Sequence, residues 1–212
     1  MIKNNLKQLI ITSIVILLPI VIGLILWNQL PEQIPTHWDI HGNVDNWSSK
    51  PFAVVCIPIL MLVLQWVCIF AASKDPKHQN YHPKPLTFAL WICPTVSLLL
   101  CTMVYGAALG YSIQIEIIMP LFMGVLFIVI GNLLPKCRQT YTMGIRLPWT
   151  LASEDNWNKT HRFTGKVWLI GGLAIMATTL WKPFWLMMGV LVIMVVSPVV
   201  YSYLYYRNHE EK

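Results

Sequence analysis

Long apolar runs separated by polar stretches make up most of this sequence. Six runs contain no Asp, Glu, Lys, Arg or His: 8–27, 52–72, 86–109, 117–134, 167–181 and 184–206. Because a helix needs about 20 mostly apolar residues to cross the hydrocarbon core, each run predicts a membrane span. The fifth run is the shortest, and it reaches a full span only when it is extended backwards through Phe163 and Thr164. The pattern therefore predicts an all-α fold, a polytopic integral membrane protein with a bundle of six transmembrane helices.

Basic residues fall almost entirely on one side of this arrangement. With the N-terminus inside, thirteen of the fifteen Lys and Arg residues lie in inner segments: Lys3, Lys7, Lys74, Lys77, Lys84, Lys136, Arg138, Arg146, Lys159, Arg162, Lys166, Arg207 and Lys212. Only Lys50 and Lys182 fall outside. Because cytoplasmic loops of membrane proteins carry the excess of Lys and Arg, both termini are predicted to be cytoplasmic.

Two longer polar segments interrupt the helices. Residues 28–51 are predicted to form an external loop, and residues 135–166 a cytoplasmic loop. The expected organisation is a first part, 1–134, with four spans and the external loop, and a second part, 135–212, with the cytoplasmic loop and the last two spans. Trp181, Lys182 and Pro183 predict a tight turn between those two spans.

Composition supports a membrane protein and disfavours several functions. The chain is 56% hydrophobic and 11% charged, whereas soluble domains carry about a quarter charged residues. The spans hold no acidic, basic or histidine side chain, so ion-coupled transport is disfavoured. Their notable amides, Gln65 and Asn132, are expected to form hydrogen bonds between helices. Because the sequence shows neither a nucleophile motif nor a phosphate-binding glycine loop, we predict no catalysis and no cofactor.

The external loop offers two interpretations. His37, Asp39 and His41 alternate, so an extended chain would place them on one face suited to zinc, although nearby Pro, Gly and Asn residues predict turns instead. Alternatively, Trp38 and Trp47 add apolar surface to an acidic side that could receive a cationic or amphipathic peptide. The charges on that side are Glu32, Asp39, Asp45 and Glu116 against Lys50 and Lys182.

The cytoplasmic loop contains its own helix signals. Ser153 followed by Glu154 and Asp155 predicts an N-cap with two acids in the first turn, where the helix dipole favours negative charge. The helix is expected to run without a break into the fifth span. Its spacing places Trp157, His161, Thr164 and Trp168 on one face, which is expected either to pack against the bundle or to lie at the level of the lipid headgroups. Lys159, Arg162 and Lys166 would then be left to bind phosphates or an acidic partner.

Two segments resemble a known family. "GNLLPKCRQTYTMGIRLPWTLASEDNWNKTHRFTGKVW", residues 131–168, resembles the signature region of the bacterial SdpI family, and "LPEQIPTHWDIHGNVDNWSSKP", residues 30–51, resembles the short domain that precedes it. Thr140 departs from the family pattern, in which we expect Asn. The resemblance implies a multi-pass immunity protein of the bacterial plasma membrane. Such proteins neutralise a secreted sporulation-delaying peptide toxin and recruit a cytosolic repressor when the toxin is bound.

The resemblance also implies sites and partners. The candidates for sensing toxin are His37, Trp38, Asp39, His41, Gly42, Asp45 and Trp47. The candidates for binding the cytosolic partner are Arg138, Gly144, Ile145, Arg146, Pro148, Trp149, Trp157, Thr160, His161 and Arg162. Expected partners are the peptide toxin, the repressor and membrane lipids, with no direct contact to nucleic acid.

Two other functions stay open at this stage. A small transporter or exporter of a peptide or lipid would need polar groups facing a cavity, for which Gln65 and Asn132 are few. A metal-dependent membrane enzyme would need His37, Asp39 and His41 to converge on a zinc ion.

Overall fold

The computed structural model describes residues 2–181 and 184–209, and most of them are helical, as predicted. The α-helices are α1 (Ile2–Ile25), α2 (Ile57–Ser73), α3 (Pro83–Ala108), α4 (Ile115–Leu133), α5 (Pro148–Ala152), α6 (Glu154–Thr178) and α7 (Phe184–His209). A π-helical turn at Phe52–Cys56 leads into α2, and 3₁₀ turns lie at His78–Asn80 and Leu134–Lys136. Two strands, β1 (Gln33–Trp38) and β2 (Val44–Ser49), form an antiparallel hairpin.

Five helices of the described chain are long and apolar enough to cross a membrane: Asn5–Ile25, Phe52–Ser73, Pro83–Ala108, Ile115–Lys136 and Phe184–His209. Their outward side chains are apolar, as Val192, Ile193 and Val195 on α7 illustrate with exposures of 56%, 63% and 62%. So much contiguous apolar surface is stable in lipid and costly in water. The protein is a multi-pass membrane protein, whereas the count of six spans and the cytoplasmic termini stay predictions.

The predicted fifth span lies in α6, which starts much earlier. Ser153 is extended and its hydroxyl accepts a hydrogen bond from the Asn156 backbone N–H, so the predicted N-cap is confirmed. The helix then continues unbroken to Thr178, also as predicted. The predicted turn at Trp181, Lys182 and Pro183 falls largely outside the described residues.

The chain divides into two compact units, and the first comprises residues 1–73 and 87–115. Its core gathers Leu30, Ile34, Val54, Val104 and Tyr105 at the base of the hairpin. Deeper along α1 and α2, the buried Gln65 amide donates to Thr12 Oγ1 at 3.0 Å, which is the interhelical hydrogen bond expected of this side chain. Asn132, by contrast, is exposed on α4.

The hairpin corrects the interpretation of residues 28–51 as a loop. β1 and β2 pair with Ile34 opposite Ser48 and Trp38 opposite Val44, and the pairing is irregular between Pro35 and Trp38. Prolines interrupt the alternation that marks a strand in sequence, and this hid the element. The fold is therefore a helical membrane protein with one small two-stranded sheet added.

The second unit comprises residues 74–86 and 116–212. Glycines allow α4 and α6 to pack backbone to backbone: a Cβ on Gly131 would lie 2.8 Å from the Gly165 carbonyl oxygen. Such small-residue contacts are typical of helix packing in membranes. Along α7, Trp168 Nε1 donates to the Met194 carbonyl at 3.0 Å. These contacts hold the helices that carry the polar segment 135–153.

Candidate functional site

Asp75 joins two polar segments of the second unit. Its carboxylate accepts hydrogen bonds from the Lys77 N–H at 2.8 Å, the Tyr141 N–H at 2.9 Å, Thr142 Oγ1 at 2.8 Å and Tyr81 OH at 3.2 Å. Only 3% of Asp75 is exposed. The short segment after α2 is thereby fixed to the segment that follows α4.

The same bonds decide the charge of Asp75. Burial by itself would raise the pKa of this carboxyl, but the donors from Thr142, Lys77, Tyr141 and Tyr81 outweigh it and hold the pKa below 3.8. Asp75 is therefore ionised at neutral pH, and its charge is stabilised by donors inside the protein.

Gln139 makes a second connection between these segments. Its side-chain oxygen accepts from Lys77 Nζ, its backbone carbonyl accepts from Asn80 Nδ2 at 2.9 Å, and its amide nitrogen donates to the Thr150 and Leu151 carbonyls at 2.9 Å. Gln139 therefore ties both segments to α5.

A buried histidine organises the centre of the predicted cytoplasmic loop. His161 Nε2 accepts the Ile145 N–H at 3.0 Å, and its Nδ1 lies 2.7 Å from the Trp157 carbonyl. An Nε2 that accepts requires the proton on Nδ1, so the ring is neutral and donates to Trp157. The two rings stack with centroids 4.1 Å apart, and Trp157 Nε1 donates to the Cys137 carbonyl at 2.8 Å.

Gly144 is required beside this pair of rings. Its φ is +115°, and a Cβ there would lie 2.6 Å from His161 Nε2 and 2.7 Å from the Trp157 ring. Both the backbone conformation and the space favour glycine. Burial lowers the pKa of His161 to about 4, despite the opposing effect of its bond to the Trp157 backbone.

A polar ladder links this centre to α7. Thr160 Oγ1 donates to Asn156 Oδ1 at 3.0 Å, Asn156 Nδ2 donates to the Ser202 carbonyl at 3.1 Å, and Trp149 Nε1 donates to Ser202 Oγ at 2.8 Å. Trp149 also lies against the Tyr203 ring, with centroids 5.4 Å apart. The C-terminal half of α7 therefore supports α5 and the start of α6.

The predicted partner-binding residues separate into three groups by exposure. Trp157, Thr160 and His161 are buried, as is Thr164, so the predicted packed face of α6 is formed, with Trp168 at its half-buried end. Ile145, Trp149 and Gly144 are half-buried. The residues that solvent reaches are Arg138, Arg146, Pro148 and Arg162. The buried group holds the segment in shape, and the exposed group forms its outer surface.

The hairpin brings the other predicted residues together around its turn. The Asp39 carboxylate accepts from the His41 and Asn43 N–H groups, both at 2.8 Å, and Gly42 has a φ of +80°. The hydrogen bonds from Asn43 lower the pKa of Asp39. Asp39 therefore shapes the turn.

His37 pairs with an acid on the opposite strand. Its Nδ1 lies 2.5 Å from Asp45 Oδ1, and both side chains are largely exposed. β1 ends at Trp38 and the chain turns directly after Asp39, where the Gly42 N–H donates to the Asp39 carbonyl at 3.1 Å. The turn that the nearby Gly and Asn residues predict is therefore present, and His37, Asp39 and His41 do not share an extended face. Among the described residues, no group of three His, Cys, Asp or Glu side chains has the arrangement of a metal site.

The apolar candidates of the hairpin differ in exposure. Trp38 packs against the core at the hairpin base, whereas Trp47 is 52% exposed. Ile40 in the turn is 54% exposed. Lys50 is buried and donates to Glu32 at 2.9 Å, so the charge of this acid is already paired within the protein.

Sequence reasoning missed Asp75 and Gln139. Their partners in the 135–153 segment are distant in sequence, and Tyr141 follows Asp75 by 66 residues. A local signal existed, since Asp75 is the one acid in a basic segment and precedes proline, a pattern that favours an Asx turn.

Comparisons with known proteins identify two regions of the chain. Residues 136–202 match the SdpI/YfhL protein family. The chain carries an SdpI family region, so the resemblance is confirmed. Residues 14–62 match a domain of unknown function, DUF1648, which spans the hairpin.

The SdpI family match extends to a full-length relative. The chain is 28% identical over 210 residues to "Immunity protein SdpI" of Bacillus subtilis (strain 168), with 95% of this chain and 97% of that protein covered. No solved structure matches the chain. The SdpI region contains the buried centre around His161 and Trp157 and the ladder to Ser202.

Proposed function

We propose that this protein is a membrane immunity protein that binds a secreted peptide toxin on the hairpin and then recruits a cytosolic repressor through the segment 135–166. The observation that carries the proposal is the similarity to an immunity protein along 95% of the chain. The exposed hairpin supports the toxin-binding part of the proposal, and the segment held by the His161 centre supports the repressor-binding part.

The proposed toxin surface is the exposed part of the hairpin. Trp47 and Ile40 are both more than half exposed and lie outside the five candidate spans. Lipid along a span therefore does not explain their exposure. An amphipathic cationic peptide would bury these two side chains and approach Asp45, and exposed aromatics surrounded by polar groups are typical anchors of binding surfaces.

The proposed repressor surface is the outer side of the segment around Arg146, Pro148 and Arg162. These residues are exposed, and the buried Trp157, Thr160 and His161 would hold them in place. Arginine suits such a role because its planar guanidinium binds carboxylates through two hydrogen bonds. No catalytic step is part of this proposal.

Survival of toxin-treated cells tests the immunity role. Expression in bacteria sensitive to the sporulation-delaying peptide should raise survival. Trp47→Ala should weaken peptide binding by roughly 10–100-fold, because central aromatic anchors contribute most of the energy of an interface. Trp185→Ala is the matched control, since Trp185 is 79% exposed but belongs to α7. Unchanged killing at normal expression of the unmodified protein would refute immunity. Full binding by Trp47→Ala would refute only the hairpin surface.

Co-purification tests the proposed recruitment of the repressor. A cytosolic repressor should be recovered with the detergent-solubilised protein when the peptide is present, and less of it when the peptide is absent. Arg146→Gln should reduce that recovery without reducing peptide binding. Equal recovery in all samples would contradict the proposed relay.

A further inference from the structure

A small depression lies on the second unit where two candidate spans end. Its lining includes Asn80, His82 and Pro85 from one segment and Cys137, Arg138 and Met143 from the other. The hydrogen bonds of Asp75 and Gln139 hold the two segments together beside it. We call these residues the headgroup pocket.

The pocket presents hydrogen-bond donors and positive charge. Within the described chain, the exposed Arg138 guanidinium has no hydrogen-bond or ion-pair partner. His82 Nδ1 accepts the Lys84 N–H at 3.3 Å, so a neutral ring carries its proton on Nε2 and keeps it for another acceptor. Lys84 does not line the depression, but its exposed side chain follows His82 by two residues.

Negative charge is missing from the pocket. None of its lining residues is acidic, and Asp75, the one acid in residues 74–86 and 135–147, is buried with its oxygens already bonded. Burial raises the pKa of the Cys137 thiol to about 11, so it stays neutral. A ligand here must therefore supply acceptors and negative charge.

Chain connectivity fixes the depth of the pocket in the membrane. Arg138 follows the candidate span Ile115–Lys136 by two residues, and His82 directly precedes the span Pro83–Ala108. Two extended residues reach at most about 7 Å, so both side chains stay at the level of lipid headgroups. Basic pockets at the ends of membrane helices are suited to anionic headgroups. An acidic protein segment would bind further from the bilayer, and soluble phosphate has no reason to prefer this depth.

We propose that the headgroup pocket binds the phosphate of an anionic phospholipid, with Arg138, Lys84 and His82 Nε2 as donors. The apolar side chains of Pro85 and Met143 would contact the glycerol part of the lipid. This inference goes beyond the immunity role and does not depend on it, because it needs neither toxin nor repressor.

Lipid selectivity of the purified full chain tests the proposal. Phosphatidylglycerol and phosphatidylcholine with identical acyl chains are added to protein in an uncharged detergent, and bound lipid is counted by native mass spectrometry. We expect a clear preference for phosphatidylglycerol. Replacing both Arg138→Gln and Lys84→Gln should lower the preference about 30-fold, because each cation near a headgroup contributes about a fivefold effect.

A matched double variant separates the pocket from general charge. Lys7→Gln with Arg207→Gln removes the same charge from two exposed cations outside the pocket and should keep the preference. Equal losses in the two double variants, or no preference in the unmodified protein, would overturn the proposal. Displacement of the lipid by equimolar inorganic phosphate would overturn it in favour of a free-anion site. Displacement of the lipid by equimolar hexaglutamate would overturn the proposal in favour of an acidic protein partner.

Discussion

Replacing the buried histidine of α6 gives the sharpest test of the His161 centre. In His161→Gln, the amide oxygen can accept the Ile145 N–H and the amide nitrogen can donate to the Trp157 carbonyl, so both hydrogen bonds have a substitute. What the variant lacks is a group that titrates. Differences between the two proteins in their response to acid therefore report on the histidine itself.

The expected magnitude follows from the pKa. His161 has a pKa of about 4 in the folded protein against 6.5 as its ordinary value. Between these values the unfolded chain binds a proton that the folded chain excludes, so stability falls as the pH drops from 6.5 towards 4. At about 1.4 kcal/mol per pKa unit, the loss is roughly 3 kcal/mol. Below pH 4 both states are protonated and the loss stops growing.

Thermal unfolding in detergent between pH 7 and pH 4 measures this effect. The melting temperature of the unmodified protein should fall relative to that of His161→Gln by roughly 6–12 °C across the window. His209→Gln, which removes an exposed histidine from α7, should behave like the unmodified protein. A constant difference between the unmodified protein and His161→Gln from pH 7 to pH 4 would refute the reasoning, because it would mean that the folded protein protonates His161 freely.

Three further changes have defined outcomes. Gly144→Ala should lower the free energy of unfolding by roughly 2–4 kcal/mol, because the residue has a positive φ and no room for a Cβ. It should also speed tryptic cleavage after Arg146. Asp75→Asn places an amide N–H against at least one of the groups that now donate to the carboxylate. It should lower the free energy of unfolding by about 1–3 kcal/mol, measured by thermal unfolding. Because the pKa of Asp75 is lowered in the folded protein, the stability that its charge contributes is present above about pH 4 and is lost as the pH falls through the lowered pKa. Acid should therefore narrow the difference in stability between Asp75→Asn and the unmodified protein. Ser153→Ala should lower the melting temperature by an amount that corresponds to about 1 kcal/mol for a lost N-cap, and an unchanged value would mean that the cap contributes nothing.

The helices could be predicted from the sequence because lipid imposes a simple length rule on apolar runs. The start of α6 could also be predicted, since Ser153 and the acids after it form a local signal, and the helical repeat gave the buried face that contains Trp157 and His161. Each of these features depends only on residues that are close together in the chain.

The remaining features depend on contacts that sequence spacing does not reveal. The hairpin was missed because Pro35 interrupts β1 and because Trp47 is exposed although it lies in a strand. The role of Asp75 was missed because its donors include Tyr141, which only the folded chain brings near. The exposed cations of the polar segments were found from the sequence, but the pocket beside Arg138 depends on how those segments pair.

The unbroken course of α6 has a mechanical consequence. The 25-residue helix is about 37 Å long, and it carries the His161 ring near one end and the close contact between Gly172 and α4 towards the other. A stiff rod of this length acts as a lever, so a tilt of about 5° at one end moves the other end by about 3 Å. The stacked rings and the apolar end therefore belong to one continuous rod, so neither end can tilt without moving the other.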